Sequence, residues 1–504
     1  LGNKEKKLLK LKNLTKSDGL CKVLFISLLC CLSYLGNAQQ FDTNLLLAHT
    51  ENLNLCTQKA RNLLALSKLS GEKIMLQNYT FCLPLLLLEN EKDYDLQADQ
   101  EEKQLNLIEA LESNANNDFF WAEIKVQWAF LHLKYGHEWK AFQGFRQAYK
   151  LLKINMIKYP NFLAQRKTYG LLLVLLATVP ENYHWALSLF GLEGNEEQGL
   201  KYLQEVAESK HFYATEAQFL HCLLTSFVLK KHSKALELLA IYNLVEKAKQ
   251  PTNPALFTYL VASICQKSGS AKTALLLVEN PNLSKFCPNF PLIEHLRAES
   301  ALLLGNYEQA SKAYENYLSV CGSPLYVKDS YYKLFIVFHL LNEPQKAQNF
   351  LKILLTKGNT KSSADKTAQN FASNYVAAPK PVLLKIQLLT DGGEYEKALQ
   401  MVERQQLADF SKQEYYEFYY RKARLLHRMG KYAEALLAYK MVLDLPYQKA
   451  TYFAPMSALQ TAFIYEEVQK DRIKAKIFAS KVLDYQGYEY ELSMRNEAKK
   501  MMKK

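Results

Sequence analysis

The chain has 504 residues, 49% of them apolar, with only 18 Gly and 14 Pro and a formal charge of +13. So few turn-forming residues exclude an all-β protein of this length, and helix is the expectation. Residues 1–38 hold seven Lys against Glu5 and Asp18, which leaves +8 for the remainder. Most of the other Lys fall singly on polar helix faces, so nucleic acid is not expected as a partner.

The leader comes first. Residues 1–22 are basic, Val23 to Leu35 (VLFISLLCCLSYL) is an apolar run of 13 residues, and Gly36-Asn37-Ala38 offers small residues for cleavage. That order is the pattern of a secretory signal peptide, with the mature chain expected near Gln39. The run falls short of the ~20 residues a transmembrane helix needs, so membrane contact is expected to be peripheral at most. Neither Cys30 nor Cys31 sits in a lipoprotein pattern. An export signal ending Gly-Asn-Ala-Gln on a Lys- and Asn-rich chain points, by analogy, to the periplasm or cell envelope of a bacterium. Six Cys lie beyond the leader: Cys56, Cys82, Cys222, Cys265, Cys287 and Cys321. Export permits disulfides. Settings such as FLHCLLTSF and VASICQKSG instead favour Cys acting as a small hydrophobe.

Residues 39–118 carry no repeat signature. Phe41 to Leu69 and Glu101 to Ser113 are expected as helices, with an irregular apolar segment from Phe81 to Asp95 between them. This region is expected to form an N-terminal helical cap that shields the first repeat. A loop at Asn114 to Asp118 then leads to a helix from Phe119.

From 119 onward the pattern repeats, and Tyr416 to Pro446 shows it best. Its first helix sets Tyr419, Ala423 and Leu426 on one face; its second sets Ala435, Tyr439 and Val442 on the facing one, with Gly430 and Lys431 between. Ala423 and Ala435 are small because packed helices approach within roughly 8–10 Å. A small residue recurs at the second-helix crossing: Ala141, Gly199, Ala235, Ala274, Ala310, Ala347, Ala398, Ala435 and Ala475. Most intervals lie a little above the tetratricopeptide period of about 34 residues. An all-α fold follows, an α-solenoid of tetratricopeptide-like helix pairs over 119–355 and 379–504. Two intervals are long. The first contains Tyr169 to Val179, apolar all round and so a buried helix, ended by Pro180. The second contains residues 356–378, a polar linker or an extra helix from Ser363 to Ala378; the helix is favoured because unstructured loops of that length are uncommon inside an array.

In these same regions the chain resembles a known family. GLEGNEEQGLKYL (Gly191 to Leu203) is similar to the Gly-Phe-x-Gly-Asp-Arg-x-x-Gly-Leu signature of the tetratricopeptide-repeat domain 39 family, whose fungal members are called inclusion body clearance proteins. Tyr452-Phe453-Ala454-Pro455, a helix, and then Asp484 to Glu491 (DYQGYEYE) resemble that family's closing Tyr-x-Gly-Tyr pattern. Leu192, Asn195 and Glu196 depart from the signature. The resemblance spans roughly residues 119–504 and implies a helical scaffold without catalytic residues. The family is cytosolic, in contrast to the export expected here.

Chemistry is sparse. The chain lacks His-Glu-x-x-His, Gly-x-Ser-x-Gly and a complete phosphate loop, and Gly269 to Thr273 reads as a helix–helix turn. His132 and His137, and likewise His211 and His221, are out of register for a metal pair. The expectation is a non-enzyme with no cofactor and no metal site. The dense basic run Lys499 to Lys504 reads as a solvated helix end.

One surface carries a functional argument. On the inner wall of the first helices, Glu417, Tyr420, Arg424, His427 and Arg428 are expected to face a groove, with Lys267, Tyr259, His295 and Tyr332 in earlier repeats. Three potential cations and a Tyr would seat an acidic or C-terminal peptide. Glu466 or Glu467 is the internal alternative for offsetting the cations. The leading expectation is therefore an exported scaffold that binds a protein or peptide. A carrier of lipid or an apolar small molecule, using Tyr169 to Leu189 as pocket walls, is the second. Glycan capture through Trp121, Trp128, Trp139 and Trp185 is a weaker third.

Overall fold

A computed structural model describes residues 42–88, 91–179, 184–284, 290–406, 408, 410–446 and 451–503. The expected leader, Pro180 and Cys287 lie outside the described residues. The chain forms two compact units. One holds residues up to Ser300 with Ala310–Phe335 and Gln345–Ser373; the other holds Ala301–Gln309, Ile336–Pro344 and Asn374–Lys504.

The chain is all-α, with no strand among the described residues, and its fold class is that of tetratricopeptide-like helix pairs. It opens with α1 (Thr43–Leu53), α2 (Thr57–Ala65), α3 (Gly71–Leu88), α4 (Glu91–Leu96) and α5 (Gln100–Glu109). Paired helices follow: α6 (Ala115–Lys134) with α7 (Glu138–Lys158), and α8 (Ala164–Ala177) with α10 (Glu196–Ala207), the short α9 (His184–Leu189) lying between them in sequence. Then come α11 (Ala214–Leu223) with α12 (His232–Ile241), the short α13 (Leu244–Lys249), α14 (Ala255–Lys267) with α15 (Ala271–Val278), and the single turn α16 (Pro281–Ser284). Next are α17 (Leu292–Leu303) with α18 (Tyr307–Val320), and α19 (Val327–Leu340) with α20 (Pro344–Thr356), followed by the unpaired α21 (Ser363–Ser373). The chain ends with α22 (Pro381–Gly392) and α23 (Tyr395–Glu403), α24 (Lys412–Arg428) and α25 (Tyr432–Leu443), α26 (Phe453–Phe463) and α27 (Arg472–Asp484), and a final α28 (Glu491–Lys503).

The nine small residues of the sequence pattern each fall on the second helix of a pair, and all nine are buried. Between α24 and α25 this gives one core of Tyr416, Tyr420, Ala423, Leu426, Ala435, Tyr439 and Val442, with Tyr419 packed on its edge. The turns between paired helices share one device. After α24 the chain enters the left-handed region at Gly430 (φ 76°), and the Lys431 amide reaches back to the Leu426 carbonyl at 2.9 Å. This six-to-one bond of a Schellman turn satisfies a carbonyl the helix end leaves orphaned. The same bond closes the turns after α6, α14, α17, α19 and α22. Two turns hold one more residue. There the first helix widens into π-turns at Leu224–Val228 and Ile464–Val468, and Lys230 and Lys470 take the left-handed position instead of Gly.

The Gly191–Leu203 segment is a packing device. A Cβ on Gly194 would lie 2.1 Å from the Ala177 nitrogen, and one on Gly199 would lie 2.7 Å from the Gly170 carbonyl oxygen. Asn195 caps α10 by accepting from the Gln198 amide, while its own amide donates to Leu173 at 3.0 Å. Backbone therefore meets backbone where α8 and α10 cross. Leu171, Leu172, Leu173 and Val174 of α8 are all buried, and Val174 lies against Gly199 at the crossing.

The N-terminal helices do more than close one end. Helices α3 and α5 pack on α6, and α1 also reaches α14, where Asn54 accepts from the Ala255 amide at 2.9 Å in a buried contact. Trp128 on α6 donates to Asn78 at 2.7 Å. Phe81 to Leu88, expected to be irregular, is the end of α3, with Pro84 inside the helix. Part of α6 is thus covered by the chain's own α3 and α5, and part of α14 by α1. The long second interval contains α21, whose Asp365 accepts from the backbone amides of Tyr326 (2.9 Å) and Asp329 (3.0 Å). An element added to the repeat caps the start of α19.

Candidate functional site

Charged side chains on the first helices are joined across from one pair to the next. On α8, Lys167 is 1% exposed and bonds Glu123 of α6 at 2.9 Å and Glu216 of α11. The Phe119 and Tyr213 rings lie 5.4 and 4.8 Å from its ammonium. Burying this cation requires both the carboxylates and the ring faces. The sequence reading missed the triad, although a Lys in the stretch RKTYGLLLVLL was its signal.

On α17 and α19 a second cluster forms. His295 Nε2 stands 3.4 Å from Asp329 Oδ2, and Lys333 Nζ stands 3.5 Å from Glu299 Oε1, to which Tyr314 also donates. Tyr326 stacks on His295 with centroids 4.6 Å apart. His295, Glu299 and Asp329 offer ligand atoms within 4.8 Å of one another, a set that could hold a cation. Lys333 already stands there. Burial pulls its pKa down, but Glu299 and Asp329 carry it above the ordinary range, so the ammonium supplies the charge a metal would bring. Of the other expected groove residues, Lys267 is exposed and Tyr259 and Tyr332 are half-buried.

The C-terminal residues picked from the sequence lie on α24, but they do not share one role. Tyr420 is 4% exposed and packs on Phe453 of α26, with ring centroids 5.3 Å apart; it is a core residue, not a seat for a ligand. Its phenol is pushed up to about 12, by burial first. Arg424 forms an ion pair with Asp391 of α22. Burial works against its charge, and Asp391 more than restores it, raising the pKa. The internal acid is therefore Asp391, one pair upstream, and not Glu466 or Glu467 of the following repeat. His427 is held down at about 4, by burial and then by Arg428 and Arg424, so it is neutral at pH 7. Its Nδ1 stands 3.4 Å from the Tyr439 hydroxyl. Arg428 is exposed and makes no ion pair among the described residues. A residue outside the expected set, Arg421, is buried and paired with Glu417 at 2.8 Å.

The group of four thus contains one core Tyr, one neutral His, one neutralised Arg and one free Arg. The expected crowding of three cations is not present, which removes the reason to require a strongly acidic ligand. What remains is the part-exposed Arg424–Asp391 pair, with the exposed Arg428 on the same helix as Arg424. A recess of about 320 Å³ lies in the N-terminal region, lined by Ser70, Glu72, Glu112, Asn114, Asn116 and Phe120 among others. Its lining mixes polar groups with Leu111 and Phe120, and it is open to solvent, unlike the enclosed apolar pocket a lipid chain needs. Among the described residues, Cys82, Cys222, Cys265 and Cys321 are free thiols.

No protein-family model matches the chain, and no curated protein matches it. Solved structures similar to it include the human IFIT1 dimer with PPP-AAAA, at 13% identity over 93% of this chain and 95% of that one, TM-score 0.34. The apo form of the quorum sensor NprR from B. thuringiensis is 12% identical over 80% and 97%, TM-score 0.29. Yeast Tom70 is 13% identical over 91% and 87%, TM-score 0.26. At such scores the fold description stands on the chain's own helix pairs, and the ligands of these proteins decide nothing here.

Proposed function

We propose that this chain is a non-catalytic scaffold that holds a partner protein or peptide against the first helices of its later repeats, α22, α24 and α26. The observation that carries the reading is the half-exposed pair Arg424–Asp391, with side chains 25% and 28% exposed. It bridges consecutive first helices and holds charges of both signs at a solvent-facing surface. A surface fixed in this way loses little entropy when a partner's polar groups dock. Helices α3 and α5 pack on α6, and α1 reaches α14, which favours the later first helices for a partner. The basic leader, the apolar run and Gly36-Asn37-Ala38 support export to a bacterial periplasm or envelope as part of the same proposal. The resemblance to the tetratricopeptide-repeat domain 39 family adds a scaffold role but no ligand, since its glycines here pack helices.

Arg428 gives the clean test, because it is exposed and makes no ion pair among the described residues, whereas Arg424→Ala would also leave Asp391 without its cation. Arg428→Glu is expected to lower capture of the partner by the full-length chain and to steepen no melting curve. Unchanged recovery of the same crosslinked proteins would refute the assignment.

A further inference from the structure

The last two helices carry a face that the scaffold role does not use. On α27, Arg472, Ile473, Lys474, Lys476, Ile477 and Lys481 are all exposed. Ile473 and Ile477 are 76% and 51% exposed and stand one turn apart. Their buried counterparts, Ala475, Ala479 and Val482, fill the core, so the isoleucines are not needed for packing. Lys474 is paired with Asp471 at 3.1 Å, but Arg472 and Lys476 have no ion pair among the described residues. Helix α28 packs against α27 and adds the exposed Lys499 and Lys500, also unpaired, with Leu492 70% exposed. The terminal basic run expected to be a fraying end is part of this helix, anchored by the buried Met494, Ala498 and Met501.

Isolated exposed apolar residues need no explanation. Apolar residues one turn apart, interleaved on the same helix with exposed Arg472, Lys474, Lys476 and Lys481, do. Like charge at this density opposes pairing with a second copy. Nucleic acid would engage the cations and leave the isoleucines in water. Most of the cations are Lys, whose long stems let the ammonium stay at a headgroup while the isoleucines enter the acyl boundary. We propose that the exposed face of α27, with the adjoining cations of α28, docks peripherally on an anionic lipid surface. No helix among the described residues is long and apolar enough to cross a membrane, so the contact is lateral. In the other unit, α7 carries exposed Lys150, Lys153, Ile154 and Ile157, a surface of similar composition that serves as the comparison.

The full chain, mixed with phosphatidylcholine vesicles with or without phosphatidylglycerol, is expected to float only with the anionic lipid and to be released by salt. Lys476→Glu with Lys481→Glu should weaken partition by at least roughly fivefold per charge, and Ile473→Ser with Ile477→Ser should weaken it at constant charge. Lys150→Glu with Lys153→Glu serves as the comparator and should leave flotation unchanged. The proposal fails if the chain floats equally with neutral vesicles, or does not float at all. It also fails if the α7 variant alone abolishes binding, or if duplex DNA is bound with the same salt dependence and the isoleucine variant has no effect. Circular dichroism of each variant separates lost docking from lost folding, and surface positions of this exposure should melt with wild type.

Discussion

Several side chains on the first helices are ionisable groups forced into one state by their surroundings. His221 and His427 are both held at about 4 against an ordinary value near 6.5, in each case by burial first. A histidine whose folded pKa is depressed binds its proton more readily in the unfolded chain. Its contribution to stability is therefore intact above about pH 6.5 and is lost as pH falls toward 4, at about 1.4 kcal/mol per pKa unit of difference when fully expressed. The denaturation midpoint should fall between pH 6.5 and 4.5, and His221→Asn with His427→Asn should flatten that slope. An unaltered slope in the double variant would assign the acid sensitivity to other groups. These states were not legible in the sequence, because the Arg424–Asp391 partner sits 33 residues upstream, on the preceding first helix. Spacing along one helix shows which residues share a face. It does not show which acid from another helix reaches that face, and so a free cation cluster was expected where ion pairs stand.

At the scale of elements, the repeat was readable because it depends on local geometry: a small residue at the crossing, apolar residues at three and four, a turn residue able to take positive φ. Ala435 is fully buried between α24 and α25. Ala435→Leu should cost about 1–3 kcal/mol by overpacking that crossing, seen as a lower urea midpoint; an unchanged midpoint would contradict the packing described. The non-repeating elements were harder. Asp365 of α21 serves the backbone amides of Tyr326 and Asp329, a long-range cap that no spacing rule encodes. Asp365→Ala removes that acceptor and should cost about 1–3 kcal/mol, with hydrogen exchange quickening at the start of α19. Exchange that quickens only within α21 would confine Asp365 to its own helix. The glycines of Gly191–Leu203 were noticed as a motif, but their reason, backbone contact between α8 and α10, needed the partner helix in place.

For the molecule as a whole, the fold class followed from periodicity, while the location of any partner surface depended on contacts between distant segments. Helices α3 and α5 pack on α6, and α1 reaches α14, contacts that periodicity along the chain does not encode. That coverage shifts attention to the later first helices, where Arg428 is exposed on α24, and away from second-helix faces such as that of Leu437, 66% exposed on α25. The most direct test is site-specific photo-crosslinking in cells of the native host, with the photoreactive residue placed at Arg428 in one chain and at Leu437 in another. A partner held on the first helices should be crosslinked from position 428 and not from 437. Equal yields from both positions, or a partner trapped from 437 alone, would contradict the scaffold reading.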